Sequence, residues 1–477
     1  VLAAGVAPGQ VLEGTLNLHP YLPISLLHVP DGNKLYVAVQ DSGYAACRSY
    51  HIFVVDCAAV QVIRTIRDVV FSYSSPAFGV HVPRHERVYF AGSSKAADAA
   101  FLVIDSRGDS VLARLPVGVC ELSQPGSKAM AYNSTRDKLY AVTPWGVPDG
   151  GEVVVLDCAT DSVIKRIRTE HRAGLFAVWD SAGDKVYFGS NDLFGEGSDL
   201  VTVLDCATDS VIAIIRTGLV APGNASLDPQ HRKLYVAPTF GGYWTGAVID
   251  TRADTVVSRQ RWGERPMDGA RLPIVHNPIE AKLYWPIKLP DTLLVVDCAV
   301  DSVIRSIVAP VYLGVRGSFH HSALTAWTNR LYALVGVAAH GNLLSVYDSH
   351  TDSIIGMTRL GDSYATTGEV LPNPVDRRIY VTLSTDSSLH AFRDELQAVS
   401  EEQPAATRPA APLHIAPNPA RDRVRLAGSE TAELYAPDGR RVAALAPGEN
   451  DIRQLARGVY FVRRQDTGES SRLVLVR

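Results

Sequence analysis

Along most of the chain, short apolar runs are separated by polar turns, and the runs recur in the same order at a spacing of roughly 50 residues. The stretch 185–215, KVYFGSNDLFGEGSDLVTVLDCATDSVIAII, shows the unit. Its second run ends at Asp205, the turn Cys206-Ala207-Thr208-Asp209-Ser210 follows, and a third run begins at Val211. The same ending reads VLDCATDSVI at 155–164, VVDCAVDSVI at 295–304, VIDTRADTVV at 248–257 and VYDSHTDSII at 346–355, with looser copies at 54–63 and 103–112. Runs this short, rich in Val, Ile and Leu and bounded by Asp, Ser and Thr, predict strands. An all-strand unit repeated at this period is a propeller blade.

A second landmark, a basic residue, an aliphatic residue and Tyr, opens an inner strand of each unit. It occurs at Lys34-Leu35-Tyr36, Arg87-Val88-Tyr89, Lys138-Leu139-Tyr140, Lys185-Val186-Tyr187, Lys233-Leu234-Tyr235, Lys282-Leu283-Tyr284, Arg330-Leu331-Tyr332 and Arg378-Ile379-Tyr380, eight copies in all. A short run and a polar turn before each supply a first strand and hairpin. The outermost strand follows only seven of the eight, beginning at Val62, Val111, Val163, Val211, Val256, Val303 and Ile354. The missing one is expected at Val11 to Leu18, where pairing with the last unit would remove open edges. The reading is an all-β chain: a lead at 1–9, then an eight-bladed β-propeller over 10–394, with seven blades and a decorated end as the alternative. These repeats resemble the YVTN family of β-propeller repeats, although Cys often stands where that family has Thr. The resemblance implies surface and extracytoplasmic binding more often than catalysis.

Residues 395–412, ELQAVSEEQPAATRPAAP, turn abruptly to Pro and Ala, which suits an extended linker. From 413 to 477 short alternating strands return without the blade motif, at Val424 to Leu426, Ala432 to Tyr435, Arg441 to Leu445, Val459 to Arg463 and Arg472 to Val476. Asp438-Gly439 supplies a hairpin turn, and the pattern predicts a small Ig-like β-sandwich. Pro417, Asn418 and Pro419 after Ala416, then Leu434-Tyr435 leading to Asp438, Gly439 and Arg440, then Gly458, Val459 and Tyr460, and the terminal LVLVR ending at Arg477 follow in order. Together they resemble a type A C-terminal sorting domain of the type IX secretion system. The resemblance implies a partner in the secretion machinery and export to the exterior of the outer membrane of a Gram-negative-type bacterium. It leaves open whether the module is cleaved or kept.

Charge and cysteine narrow the classes. A net charge of -4 over 477 residues provides no field for gathering nucleic acid. No run of apolar residues is long enough for a transmembrane helix, and the start at Val1 is read as following a removed export signal. Cys57, Cys158, Cys206 and Cys298 share one repeat position, too far apart in successive blades for disulfides, so buried thiols are expected. Cys47 and Cys120 lie off the repeat.

Irregular loops on a rigid scaffold are where binding concentrates. One loop face is expected to carry Tyr44, Trp145, Phe194, Phe240, Tyr243, Trp244, Trp262, Tyr312 and Tyr364, with Arg265, Arg316, His320 and His321 among them. Aromatic planes beside polar groups suit sugar rings or a protein partner, while packing between blades is the competing reading. Of the adjacent His320 and His321, strand alternation would pack one and expose the other. Asn191, Asp192, Glu196 and Asp199 place four oxygen ligands in one loop, which calcium could use, without EF-hand spacing. The Asp before Ser or Thr in each outer hairpin is explained by turn formation. Those Asp-Ser and Asp-Thr pairs also resemble a bacterial O-glycosylation motif, with Ser110, Ser162, Ser210, Thr255, Ser302 and Ser353 as acceptors.

No phosphate loop, zinc-protease helix motif, nucleophile elbow or cysteine–histidine metal spacing is present. The expected function is a non-enzymatic binding or structural scaffold at the cell surface, binding glycan or protein or self-assembling into a layer or filament. An extracellular hydrolase or lyase for polysaccharide or peptide, working at the central channel, is the alternative.

Overall fold

The structure is a computed structural model describing residues 10–41, 50–67, 79–92, 100–116, 129–147, 150–169, 173–190, 199–238, 245–261, 273–287, 291–361, 368–394, 415–426, 431–436, 441–464 and 470–476. The chain divides into two compact units, Val1–Gln397 and Ala398–Arg477, a division that falls inside the stretch expected to be a linker.

The first unit is all-β and holds eight four-stranded antiparallel sheets among the described residues. Sheets one to seven are each built from consecutive strands, within 21–66, 79–116, 130–169, 173–216, 222–260, 275–308 and 318–361. Sheet eight joins Val370–Asn373, Arg378–Leu383 and Ser388–Asp394 to Gln10–Asn17 from the other end of the chain. The second and third strands of each sheet read as continuous apolar runs because both faces are covered by neighbouring sheets. Lys185–Ser190 and Leu200–Asp205 are buried almost throughout. First strands meet in sequence around the unit. Tyr21–Val29 lies against Gly79–Val82, each first strand contacts the next in turn, and Val370–Asn373 returns against Tyr21–Val29. This order is compatible with a β-propeller.

Apolar packing alone would let such sheets slide, and the polar residues of the repeat prevent it. The Asp before each outer strand adopts a left-handed conformation, with φ of 50° at Asp209 and 54° at Asp254, which Asp tolerates because its short side chain bonds locally. That geometry aims the carboxylate at the sheet before. Tyr187 of sheet four donates its phenol to Asp254 of sheet five at 2.6 Å, and Lys185 Nζ reaches the other carboxylate oxygen at 2.6 Å. The same pair of donors meets one carboxylate at Tyr36 and Lys34 with Asp109, Tyr89 and Arg87 with Asp161, Tyr140 and Lys138 with Asp209, Tyr235 and Lys233 with Asp301, and Tyr284 and Lys282 with Asp352. Burial, then the facing carboxylate, pushes these phenols far above their ordinary pKa, so each remains a donor.

Sheet eight departs from the rule because its outer strand is not covalently continuous with it. Tyr332 and Arg330 of sheet seven reach Asp394, at 2.6 and 2.9 Å. The Asp394 backbone N–H bonds the Arg377 carbonyl, as Cys206 N–H bonds the Asp184 carbonyl, so Asp394 occupies the cysteine position of the repeat. Sheet one has Val60 where sheets two to seven have Asp. Tyr380 and Arg378 of sheet eight donate instead to the Cys57 carbonyl, and Arg378 also pairs with Glu13 of the N-terminal strand at 2.5 Å. Glu13 holds Arg393 as well.

The outermost strands each carry a β-bulge at one position. In sheet four the register passes from Val203↔Ala213 to Leu204↔Val211, leaving Ile212 unpaired. Ile63, Leu112, Ile164, Val257, Ile304 and Ile355 occupy the same bulge elsewhere, and Glu13 occupies it in sheet eight. A bulge turns its extra residue outward. These seven aliphatic side chains are accordingly between 36% and 53% exposed.

The second unit contains a three-stranded sheet, Ile415–Ala416, Arg423–Leu426 and Gly448–Asp451, and a four-stranded sheet, Arg441–Leu445, Ala432–Tyr435, Gly458–Arg464 and Ser470–Leu475. Val424, Leu426, Leu434, Val462 and Leu473 of both sheets share one core. Two strands escape the apolar pattern: Ile415–Ala416 has two residues, and Gly448–Asp451 is polar.

Two predictions follow from the contacts between sheets. Tyr187→Phe removes one donor from the part-buried Asp254 carboxylate and should lower unfolding free energy by about 1–3 kcal/mol in urea denaturation. Burial opposes ionisation of Glu13, but its bonds to Arg393 and Arg378 outweigh this and hold its pKa below the usual glutamate range. Its contribution is therefore complete above the unfolded-state pKa and is lost as pH falls through the lower folded value. The stability gap between the native protein and Glu13→Gln should be largest near neutrality and close on acidification below pH ~4.5.

Candidate functional site

Most of the loop face expected to bind falls outside the described residues: Tyr44, Phe194, Phe240, Tyr243, Trp244, Trp262, Arg265 and Tyr364. The backbone of Trp145 lies in the strand Lys138–Val147, and its side chain is outside the described set. Tyr312 and Arg316 are described and are brought together. Val311–Tyr312 pairs with Val315–Arg316 in a ribbon leading into sheet seven. Leu313 and Gly314, at φ 49° and 83°, turn it, a left-handed pair of the kind that matches hairpin twist. The tip presents Leu313 and Val311, 64% and 56% exposed, beside the exposed Arg316. The Tyr312 ring is half-buried and packs edge-on to His340, with centroids 6.2 Å apart.

His320 and His321 do not divide into one packed and one exposed ring. The register passes from Phe319↔Val335 to His321↔Leu334, so His320 occupies a bulge and both rings are half-buried. Nδ1 of His321 accepts the Val370 backbone N–H of sheet eight at 3.2 Å, a structural use.

Asn191, Asp192 and Glu196 also lie outside the described residues. Asp199 is described, and its carboxylate holds Arg216 at 3.2 Å and the Gly218 N–H at 3.3 Å. It fastens the far end of the outer strand of sheet four.

The serines and threonine of the outer hairpins sit at the first position of each outer strand. Thr255 and Ser302 are exposed, and Ser110, Ser162, Ser210 and Ser353 are half-buried. Ser162, Ser210 and Ser353 share hydrogen bonds of 2.6–2.8 Å with Thr160, Thr208 and Thr351. The Asp before each reaches into the preceding sheet, so the motif has a structural cause beyond its turn. Sequence reasoning saw the turn and missed the contact between sheets, although the signal was present: a basic-x-Tyr motif and an Asp-Ser/Thr pair recur in the same order in successive units, 68 to 75 residues separating the basic residue from the Asp it meets. It also missed the exposed rim, whose signal is the second of two adjacent aliphatics, as in Ser-Val-Ile, where strict alternation allows only one to face inward.

Cys57, Cys158, Cys206 and Cys298 are free and buried, and burial pushes the thiols up to about 12, 12, 11 and 12 respectively. They are poor nucleophiles as thiols. Cys47 and Cys120 are outside the described residues.

In the second unit, Pro417, Asn418 and Pro419 lie against the final strand. Asn418 Oδ1 accepts the Val474 N–H at 2.9 Å, and Ala420 exchanges backbone bonds with Val474 and Val476. Gly458, Val459 and Tyr460 open the strand beside it, with the Tyr460 phenol on the Ala456 carbonyl at 2.8 Å. The first and last landmarks of the module are thus one hydrogen-bonded substructure. Asp438, Gly439, Arg440 and Arg477 lie outside the described residues.

Compared with known proteins, the chain matches no protein-family model and no curated protein.

Proposed function

We propose that this chain is a secreted, non-enzymatic scaffold, an eight-bladed β-propeller of the YVTN type whose subunits associate through their outer strands at the cell surface. The carrying observation is the rim. Seven sheets place an aliphatic side chain at the same outward-turned bulge, flanked by further exposed apolar residues such as Val62, Val111, Ile214 and Val308. Outer strands are also edges with unpaired backbone groups, which favour association with another chain. Net charge is only -4 over 477 residues, so little repulsion opposes contact between copies.

Eight four-stranded sheets and the meeting of first strands in sequence support eight blades over seven. The conserved-in-repeat polar groups serve to hold sheets together, which favours a rigid frame. The second unit is the proposed type IX sorting module, supported by the bonding of the Ala-Pro-Asn-Pro segment to the terminal strand.

Two experiments test the proposal. Sedimentation velocity and electron microscopy of the full chain at rising concentration should show ordered association, and Ile212→Lys with Ile304→Lys should reduce the association constant at least about tenfold. A native chain that stays monomeric throughout overturns the assembly. Residues 398–477, fused to a reporter behind a cleaved export signal in a bacterium with the type IX system, should carry it outside the cell. Retention in the periplasm overturns the sorting role.

A further inference from the structure

Sheets five and six meet at a cluster that no other pair of sheets repeats among the described residues. In sheets three to six and in sheet eight, the Asn or Asp ending the first strand caps the following turn, and its second polar atom usually reaches the residue before the basic-x-Tyr motif of the next sheet. Asn133 Nδ2 donates to Asp184 at 2.8 Å, Asn277 Nδ2 to Asn329 at 2.8 Å and Asn373 Nδ2 to Asn33 at 2.7 Å. At Asp180 the direction reverses, and Arg232 of sheet five donates to the carboxylate at 3.0 Å. The next step, Asp228 toward sheet six, has Ala281 at the partner position, in the same left-handed conformation as Arg232. Asp228 is fully buried and has no guanidinium from the next sheet. Its carboxylate accepts the Gln230 and His231 backbone N–H groups and His231 Nδ1, at 3.0, 3.1 and 2.6 Å.

Two further donors face this carboxylate. His276, on the first strand of sheet six, places Nε2 at 3.7 Å from Asp228 Oδ1, and that nitrogen is buried without a hydrogen-bond partner. Cys298 completes the group, with its Sγ, the imidazole nitrogen and a carboxylate oxygen all within 4.8 Å of one another. A separation of 3.7 Å is too long for a hydrogen bond. It is close to the roughly 3.3–3.6 Å between two ligands of one tetrahedral zinc ion at zinc–nitrogen, zinc–oxygen and zinc–sulfur bond lengths. Burial lowers the His276 pKa and keeps the ring neutral, as a ligand must be.

Equivalent positions in the other sheets supply an internal control. Sheet one has His28 and Cys57, but the third group is the amide of Asn373; sheet seven has Leu324, Ser349 and Asn277; sheet five has Leu227, Thr251 and Asp180. Carboxylate, imidazole and thiol coincide only between sheets five and six among the described residues.

We propose that Asp228, His276 and Cys298 bind a divalent transition ion of the zinc class through one carboxylate oxygen, Nε2 and Sγ. The ion takes the place that the Arg232 guanidinium fills one sheet earlier. His231 orients the carboxylate from behind, and a water completes the tetrahedron. Binding releases the Cys298 thiol proton to solvent, and the two anionic ligands neutralise the ion. Thiolate and imidazole select zinc or cobalt over calcium or magnesium. The site is a staple between two sheets.

The test uses the full chain, stripped of metal and dialysed against Zn2+, with metal content measured by mass spectrometry, and titrated separately with Co2+. Its variants borrow residues that sibling sheets already hold: Asp228→Asn, His276→Leu and Cys298→Ser. Each is checked for native circular dichroism. One tightly bound zinc per chain is expected, with a cobalt–thiolate charge-transfer band and tetrahedral visible bands. Each variant should weaken binding more than about 100-fold, since even outer-shell changes cost 10–100-fold. A folded native chain that binds no zinc overturns the proposal. So does a Cys298→Ser chain that keeps both full affinity and the charge-transfer band, because the ion would then sit elsewhere.

Discussion

The first unit depends on one repeated contact, in which a phenol and a cation of one sheet converge on a single carboxylate of the next. Hydrophobic burial brings the sheets together but has no direction, so it cannot set the offset between two apolar faces. A carboxylate withdrawn from most of its solvent does so, because leaving it unpaired costs free energy that sliding would not recover. Tyr187 and Lys185 with Asp254 show the arrangement at its simplest. The left-handed backbone at the Asp is what aims its side chain across the gap, so a local turn preference becomes a long-range restraint.

Where the chain ends interrupt the repeat, the chemistry is kept and the residues change. Asp394 supplies the carboxylate from the cysteine position. Glu13, at the bulge that is aliphatic in the other seven sheets, supplies a charge where Val60 has none. One strand therefore trades an exposed apolar residue for an ion pair, and its sheet is the one assembled from both ends of the chain. Ala281 is the opposite case, where the guanidinium partner is lost and His231, His276 and Cys298 gather around the Asp228 carboxylate.

The proposed function divides along the same lines. The hairpin ends of the sheets are tied by hydrogen bonds, the outer strands turn aliphatic side chains outward, and the remaining loops are free of the repeat. A rigid frame with an apolar rim suits assembly, and the Leu313 tip beside Arg316 adds one projecting contact. The second unit binds its Ala-Pro-Asn-Pro segment to its last strand, so a recognition surface there would include both ends of the module.

Local chemistry made much of this legible in the sequence. Apolar runs, Asp-bounded turns and the basic-x-Tyr motif made strand identity and the recurring four-strand unit readable, because each depends on residues within a few positions, and counting outer strands pointed to the strand near Val11 to Leu18 that pairs with Ser388–Asp394. The Gly448–Asp451 strand was hidden because its residues are polar and its pairing with Arg423–Leu426 alone defines it. Only the tertiary structure decided which carboxylate Tyr36 meets 73 positions away, that His320 occupies a bulge beside the paired His321, and that Ile212 and its counterparts face outward. It alone brought Asp228, His276 and Cys298 together, since their meeting depends on the spacing between two sheets and on a side chain that Ala281 does not have.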